Sequence, residues 1–174
     1  RQAKTPEQEI LVPLVPGRNK IQVSVLNQQG TESLRETVYT TSTAEAAAPE
    51  VYVVGIGVSE YKDKAYNLRY AAKDANDLLN TYKAVEQRPG IKGKVHLLDI
   101  TNQKATRPEI RKAKDWLKQS KINDLVVVFA AGHGMTDEKS DYYFGTHDID
   151  PKHPATNGLP YEDFENLLDG IPAL

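Results

Sequence analysis

The sequence predicts an α/β domain, a mainly parallel sheet flanked by helices, preceded by an all-β segment. Three observations predict it. A small-residue stretch closed by proline, Thr43-Ala44-Glu45-Ala46-Ala47-Ala48-Pro49-Glu50, separates two different periodicities. Downstream of it, continuous apolar runs alternate with segments of helical spacing, the pattern of strands joined by right-handed helical crossovers. Upstream of it, apolar and polar residues alternate at period two, as in half-buried strands. We therefore read residues 1–43 as β structure, 44–50 as a linker and 51–174 as the α/β domain.

The first segment starts with Glu9-Ile10-Leu11-Val12, a short run expected as a strand. Ile21, Val23 and Val25 then alternate with Gln22 and Ser24, Asn27-Gln28-Gln29-Gly30 supplies turn chemistry, and Leu34–Thr41 forms another extended run. Three short strands cannot bury both faces. The segment is either the tail of an immunoglobulin-like β-sandwich or a set of strands added to the edge of the next domain, and the sandwich tail is preferred. In the second segment Val51–Val58 is apolar throughout, suited to a strand buried on both faces. Ala71, Ala75, Leu78, Leu79 and Tyr82 give Tyr70–Val85 a helical stripe. Lys94–Leu98 reads as the second strand. Thr106 and Pro108 open a helix through Trp116 and Leu117, with Thr106 as N-cap. Asp124–Phe129 is the third buried strand, Tyr142–Phe144 a short extra one, and Leu159–Leu168 a last helix closed by Gly170-Ile171-Pro172.

Composition excludes several functions. The 174 residues carry a net charge of −2, which argues against a strongly basic nucleic-acid binder. No apolar run approaches the roughly 18 residues of a membrane span, so neither membrane nor nucleic acid is an expected partner. There are no cysteines, hence no disulfides, no zinc finger and no thiolate within the chain. The opening Arg1-Gln2-Ala3-Lys4 has no initiator Met, and the chain reads as a piece of a longer precursor.

In open α/β sheets, ligands bind at the carboxyl ends of the strands. The third strand runs into Ala131-Gly132-His133-Gly134, where two glycines strip bulk from either side of an imidazole and free the backbone to present an N–H. His133 is the candidate base. His96, His147 and His153 are expected to be structural or exposed. Gly55-Ile56-Gly57 superficially suggests a dinucleotide loop, but the third glycine is missing and the charged Glu60-Tyr61-Lys62-Asp63-Lys64 follows, so these glycines are assigned to close packing. Asp74 falls in the first turns of the first helix, where the helix dipole favours an anion.

The segments VYVVGIGVSEY, NLRYAAKDANDL, DLVVVFAAGHGM and NGLPYEDFENLL, in this order, resemble the caspase-like cysteine peptidases, the bacterial and metacaspase branch more than the animal apoptotic enzymes. The resemblance spans residues 51–174 and implies a Cys–His dyad acting on a protein or peptide substrate. His133 matches the family's histidine, which activates the thiol and then protonates the leaving amine, and Gly134 matches its oxyanion donor. The matching cysteine would end the next core strand, so the chain is expected to stop short of it and to be inactive alone, with the remaining C-terminal part, the small subunit, as its partner. Asp74 aligns with the acidic position that metacaspases use to bind arginine or lysine; the arginine of the aspartate-cutting branch falls on Leu68, one residue from Arg69. Ala131 stands where a serine commonly precedes the motif. No cofactor or metal is expected, although Asp148, Glu162 and Asp163 are oxygen donors in the region where some metacaspases bind calcium. The rival reading is a caspase-fold scaffold without catalysis. A serine hydrolase lacks support because no G-x-S-x-G is present.

Overall fold

The computed structural model describes residues 7–45, 47–88 and 93–173. Ala46 of the linker, the first six residues and Leu174 lie outside the described residues. The chain divides between Ala47 and Ala48 into two compact units.

In the first unit, β1 (Gly17–Val23) pairs antiparallel with β2 (Glu36–Ser42), Gly17 opposite Ser42 and Val23 opposite Glu36. The turn region is built by Asn27, whose Oδ1 accepts from the N–H groups of Gln29 and Thr31, and by Gly30 at φ +82°, a left-handed geometry that suits glycine. Glu9–Val12 is not a strand. Pro13 and Pro16 follow it, each without an N–H to give a ladder, and Ile10, Leu11 and Val12 are exposed coil. Val23, Val25, Leu34 and Val38 are also exposed, so the period-two apolar face is real but the described residues of this unit do not cover it.

The second unit is built on three parallel strands in the order β4-β3-β5: β3 (Val51–Gly57) lies between β4 (Val95–Thr101) and β5 (Leu125–Ala131). This is the expected parallel sheet. Alternation along β3 sends its residues to two helices. Tyr52, Val54 and Ile56 join Ile110, Ala113 and Leu117 of α2 (Arg107–Leu117) in one buried cluster. Gly55 and Gly57 face α1 (Ala71–Glu86) instead. A Cβ on Gly57 would sit 2.6 Å from the Ala71 carbonyl oxygen and 2.8 Å from the Ala72 Cα, so these glycines let the helix backbone lie on the strand. Thr106 is the N-cap of α2 with extended backbone, but its side chain makes no capping hydrogen bond.

Complete burial, expected of both apolar strands, holds for most of β3 and fails for β5. Val126–Phe129 are half-buried and Leu125 is exposed, because β5 pairs with β3 alone and is an edge among the described residues. The expected Tyr142–Phe144 strand exists as the centre of a second, antiparallel sheet: β6 (Gly134–Thr136), β7 (Tyr142–Phe144) and β8 (Leu159–Pro160). A short helix α3 (Pro154–Asn157) precedes β8, and α4 (Tyr161–Leu168) follows it. The last helix thus starts two residues later than expected, Leu159 and Pro160 serving the sheet.

Candidate active site

His133 sits between the two sheets of the second unit, after β5 ends and before β6 begins. Its half-buried ring is held from the loop after β3. The Nε2–H donates to the carbonyl oxygen of Tyr66 at 2.9 Å, so that in the neutral ring Nδ1 carries the lone pair. The His133 backbone N–H donates to the Tyr61 hydroxyl at 2.9 Å, and the two rings lie 5.2 Å apart. Burial raises the Tyr61 pKa above its usual value, and the bond from His133 partly offsets that rise.

This loop is long but tied down. Lys64–Tyr66 forms a 3-10 turn capped by the Asp63 carboxylate, which accepts from the Ala65 N–H, and that turn presents the Tyr66 carbonyl. Asn67 Oδ1 accepts from the Tyr61 N–H, Asn102 Oδ1 from Ser59 and Glu60, and the His147 carbonyl from Lys62. Ser59 Oγ accepts from Ala72 N–H and so satisfies an open donor at the start of α1. Ser59, Tyr61 and Tyr66 carry no motif, and the Tyr66 contribution is a main-chain carbonyl, so sequence reasoning missed all three.

Gly134 is exposed. The N–H of Gly145 donates to the His133 carbonyl at 2.8 Å, which makes that pair the hydrogen-bonded kind in the β6–β7 ladder. By alternation, the next pair, Gly134 with Phe144, is the non-bonded kind, and the Gly134 N–H turns away from β7 toward the free edge of β6. Gly132 also needs its lack of a side chain, since a Cβ there would meet the Phe144 ring at 2.9 Å.

Asp74 lies in the first turn of α1. Gly57 is in register with Ala131 and α1 begins against Gly57, so Asp74 and His133 share the carboxyl end of the parallel sheet. Asp74 is exposed, because the buried face of α1 is Ala71, Ala72, Ala75 and Leu79. Leu68 is half-buried and Arg69 lies over the Tyr70 ring at 5.1 Å, outside the His133 contacts. Ala131 is half-buried, its carbonyl accepting from Val58 N–H.

The three acids named for calcium are not brought together. Asp163 is clasped by Arg111 in a two-pronged pair at 2.9 and 3.1 Å, with Arg107 Nε at 3.5 Å, and Asp148 accepts from the Thr146 hydroxyl. Glu162 is exposed on α4. Among the described residues no three His, Asp or Glu side chains converge on a metal position, so these acids do not fit calcium. Of the other histidines, His96 pairs with Glu50 at 2.5 Å and stacks on Tyr52, His147 Nδ1 meets the Glu60 carbonyl, and His153 pairs with Asp150 at the surface.

A base with a fixed tautomer, next to an outward N–H at a strand end, suits acyl transfer by an added nucleophile. Comparison with family models matches the caspase domain over residues 51–174. The chain belongs to the caspase-domain family. A search of curated proteins finds no significant match. The caspase domain is the α/β unit described above, with its parallel three-stranded sheet and helices. Membership supports a cysteine peptidase acting on protein substrates.

Proposed function

We propose that residues 51–174 are the histidine-bearing part of a cysteine endopeptidase of the metacaspase-like branch that cleaves after arginine or lysine. Its thiol is supplied by polypeptide outside these 174 residues. One observation carries the reading: His133 is anchored through Nε2 on the Tyr66 carbonyl, so Nδ1 is the nitrogen left to take a proton, beside the outward N–H of Gly134. In the reaction, Nδ1 removes the thiol proton, the thiolate adds to the scissile carbonyl, and the Gly134 N–H holds the oxyanion. Collapse of that intermediate expels the amine, which takes the proton back from His133. The edge of β5, unpaired among the described residues, supports the reading, since a further parallel strand seated there would end beside His133. Asp74, at the same end of the sheet, is the carboxylate assigned to the basic side chain.

With no cysteine, the chain alone is silent. The same absence favours a second reading, a caspase-fold scaffold. The test is the full-length gene product, assayed on fluorogenic peptides ending in arginine, lysine or aspartate. Hydrolysis of the arginyl and lysyl peptides, lowered by about 10²–10⁴ in His133→Ala, is expected. Hydrolysis by the 174-residue chain alone, or activity indifferent to His133, overturns the peptidase reading. No hydrolysis by the full product favours the scaffold.

A further inference from the structure

A cavity of about 450 Å³ opens where β7 and β8 meet the start of α4, lined by Asp141, Tyr142, Tyr143, Pro160, Tyr161 and Glu162, and the Tyr142 ring connects it to Gly134. Its position follows from the ladder. Thr136 is in register with Tyr142 and Gly134 with Phe144, so Tyr142 and Gly134 are diagonal neighbours on one face of the small sheet. A Cβ on Gly134 would fall 2.4–2.8 Å from the hydroxyl end of the Tyr142 ring, so the ring lies against the backbone of the proposed oxyanion donor. The far wall is Tyr161 at the start of α4, edge-to-face with Tyr142 at 6.4 Å and 57% exposed.

The side chains that line this cavity include two carboxylates and no cation. Asp141 and Glu162 are exposed carboxylates, and among the described residues neither forms an ion pair with a Lys, Arg or His of the chain. Burial chiefly, and then the Asp137 and Asp141 charges, raise the Tyr143 pKa, while the Arg107 charge lowers it. Aromatic faces beside unpaired carboxylates attract cations by quadrupole and charge together. A planar guanidinium answers both features, stacking on a ring while its fork meets a carboxylate.

We infer that this cavity holds the guanidinium of a substrate arginine within a residue or two of the scissile bond, as a basic subsite separate from Asp74. The inference rests on the peptidase reading. The spacing permits it, because Tyr142 touches Gly134 and successive substrate residues advance by about 3.3–3.8 Å.

The test needs no thiol. Amide ¹H–¹⁵N spectra of the 174-residue chain are titrated with N-acetyl-arginine amide and with its neutral isostere, N-acetyl-citrulline amide. Shifts at Tyr142, Tyr143, Tyr161 and Glu162 are expected with the arginine probe, with citrulline binding about tenfold more weakly. The Asp141→Asn, Glu162→Gln pair should weaken the arginine probe about tenfold while leaving the native signal dispersion intact. Equal binding of the two probes, no shifts, or shifts confined to the first turn of α1 around Asp74 would overturn the subsite. The probe comparison stands on the unaltered chain should the double variant fail to fold. An active full-length enzyme without these shifts would leave the peptidase reading standing and remove the subsite; these shifts in an inactive full-length product would overturn the peptidase reading and with it the assignment to a substrate, leaving a guanidinium-binding cavity.

Discussion

Replacing Gly57 by alanine tests how the α/β unit brings its site residues to one end. The new Cβ would meet the Ala71 carbonyl oxygen at 2.6 Å, the Ala72 Cα at 2.8 Å and the Ala75 Cβ at 2.8 Å. Ordinary contact begins near 3.4 Å, so the first turn of α1 must retreat by about 0.8 Å. The obstacle is helix backbone, which no rotamer change relieves. A gap of that size forfeits a quarter to a half of the dispersion energy of the contacts it opens, here those of Ala71, Ala72 and Ala75 on β3. Overpacking of this kind costs about 1–3 kcal/mol, offset by about 0.4–1 kcal/mol from the smaller unfolded-state entropy of alanine. A net loss of about 1–2 kcal/mol is expected. Gly55→Ala is the internal control: its Cβ meets the Leu79 side chain at 3.0 Å and the Ala75 carbonyl at 3.3 Å, a largely side-chain obstacle that can rotate aside, and it should lose about 1 kcal/mol less. Urea unfolding followed through Trp116, the single tryptophan and a residue of α2, reads the difference. With a slope of about 1–3 kcal/mol/M, the Gly57→Ala midpoint should fall by about 0.5–1 M with the slope unchanged. A midpoint within about 0.2 M of the parent, or a larger loss for Gly55→Ala, would refute the packing account and with it the placement of the Asp74 turn against β3.

Tyr61→Phe leaves the His133 N–H without its acceptor and should cost about 1–3 kcal/mol at neutral pH, measured by thermal unfolding. Because burial raises the Tyr61 pKa above 10.0 in the folded chain, its contribution is fully present below pH about 10 and is lost as pH rises through the raised value; the variant should show a shallower alkaline decline, and an unchanged decline would contradict the buried phenol. Asp163→Asn strips the two-pronged partner from Arg111 and leaves Arg107 with a weaker one, for an expected loss of about 1–3 kcal/mol, while millimolar calcium should leave the parent melting temperature unchanged; a calcium-dependent rise would show that the acid is open to metal. The edge of β5, free among the described residues, should let the chain associate with itself, so the light-scattering mass should rise with concentration; a single-chain mass across a wide range would count against an open edge.

The order of elements was legible because it is written in local periodicity. The helical stripe of Ala71, Ala75 and Leu79 and the apolar run of Val51–Gly57 each demand one kind of packing whatever surrounds them. Glu9–Val12 shows where periodicity fails, since its apolar residues meet proline at 13 and 16 and find no ladder. β5 shows the complementary failure. Its composition matches β3, but burial is set by how many neighbours a strand has, which composition does not record.

The site divides along the same line. That His133 and Gly134 lie at a strand end could be read because glycines around a histidine after an apolar run have a mechanical meaning in one dimension. What fixes the chemistry of His133 could not be read so: the Tyr66 carbonyl is main chain, and every residue has one. Its role comes from a 3-10 turn capped by Asp63, in a loop pinned by Ser59, Asn67 and Asn102. For Asp74 it is the surroundings that could not be read. A position inherited by alignment carries residue type but not solvation, and the small buried face of α1 turns this carboxylate to water. An exposed carboxylate competes with solvent for a guanidinium and discriminates weakly, typically by under 1 kcal/mol. Strong preference for a basic residue at this end of the sheet therefore requires that a further element cover Asp74, or that other anionic and aromatic groups share the recognition. Asp141 and Glu162 are exposed as Asp74 is, so in the proposed subsite it is the Tyr142–Tyr161 wall beside them that must add to the discrimination.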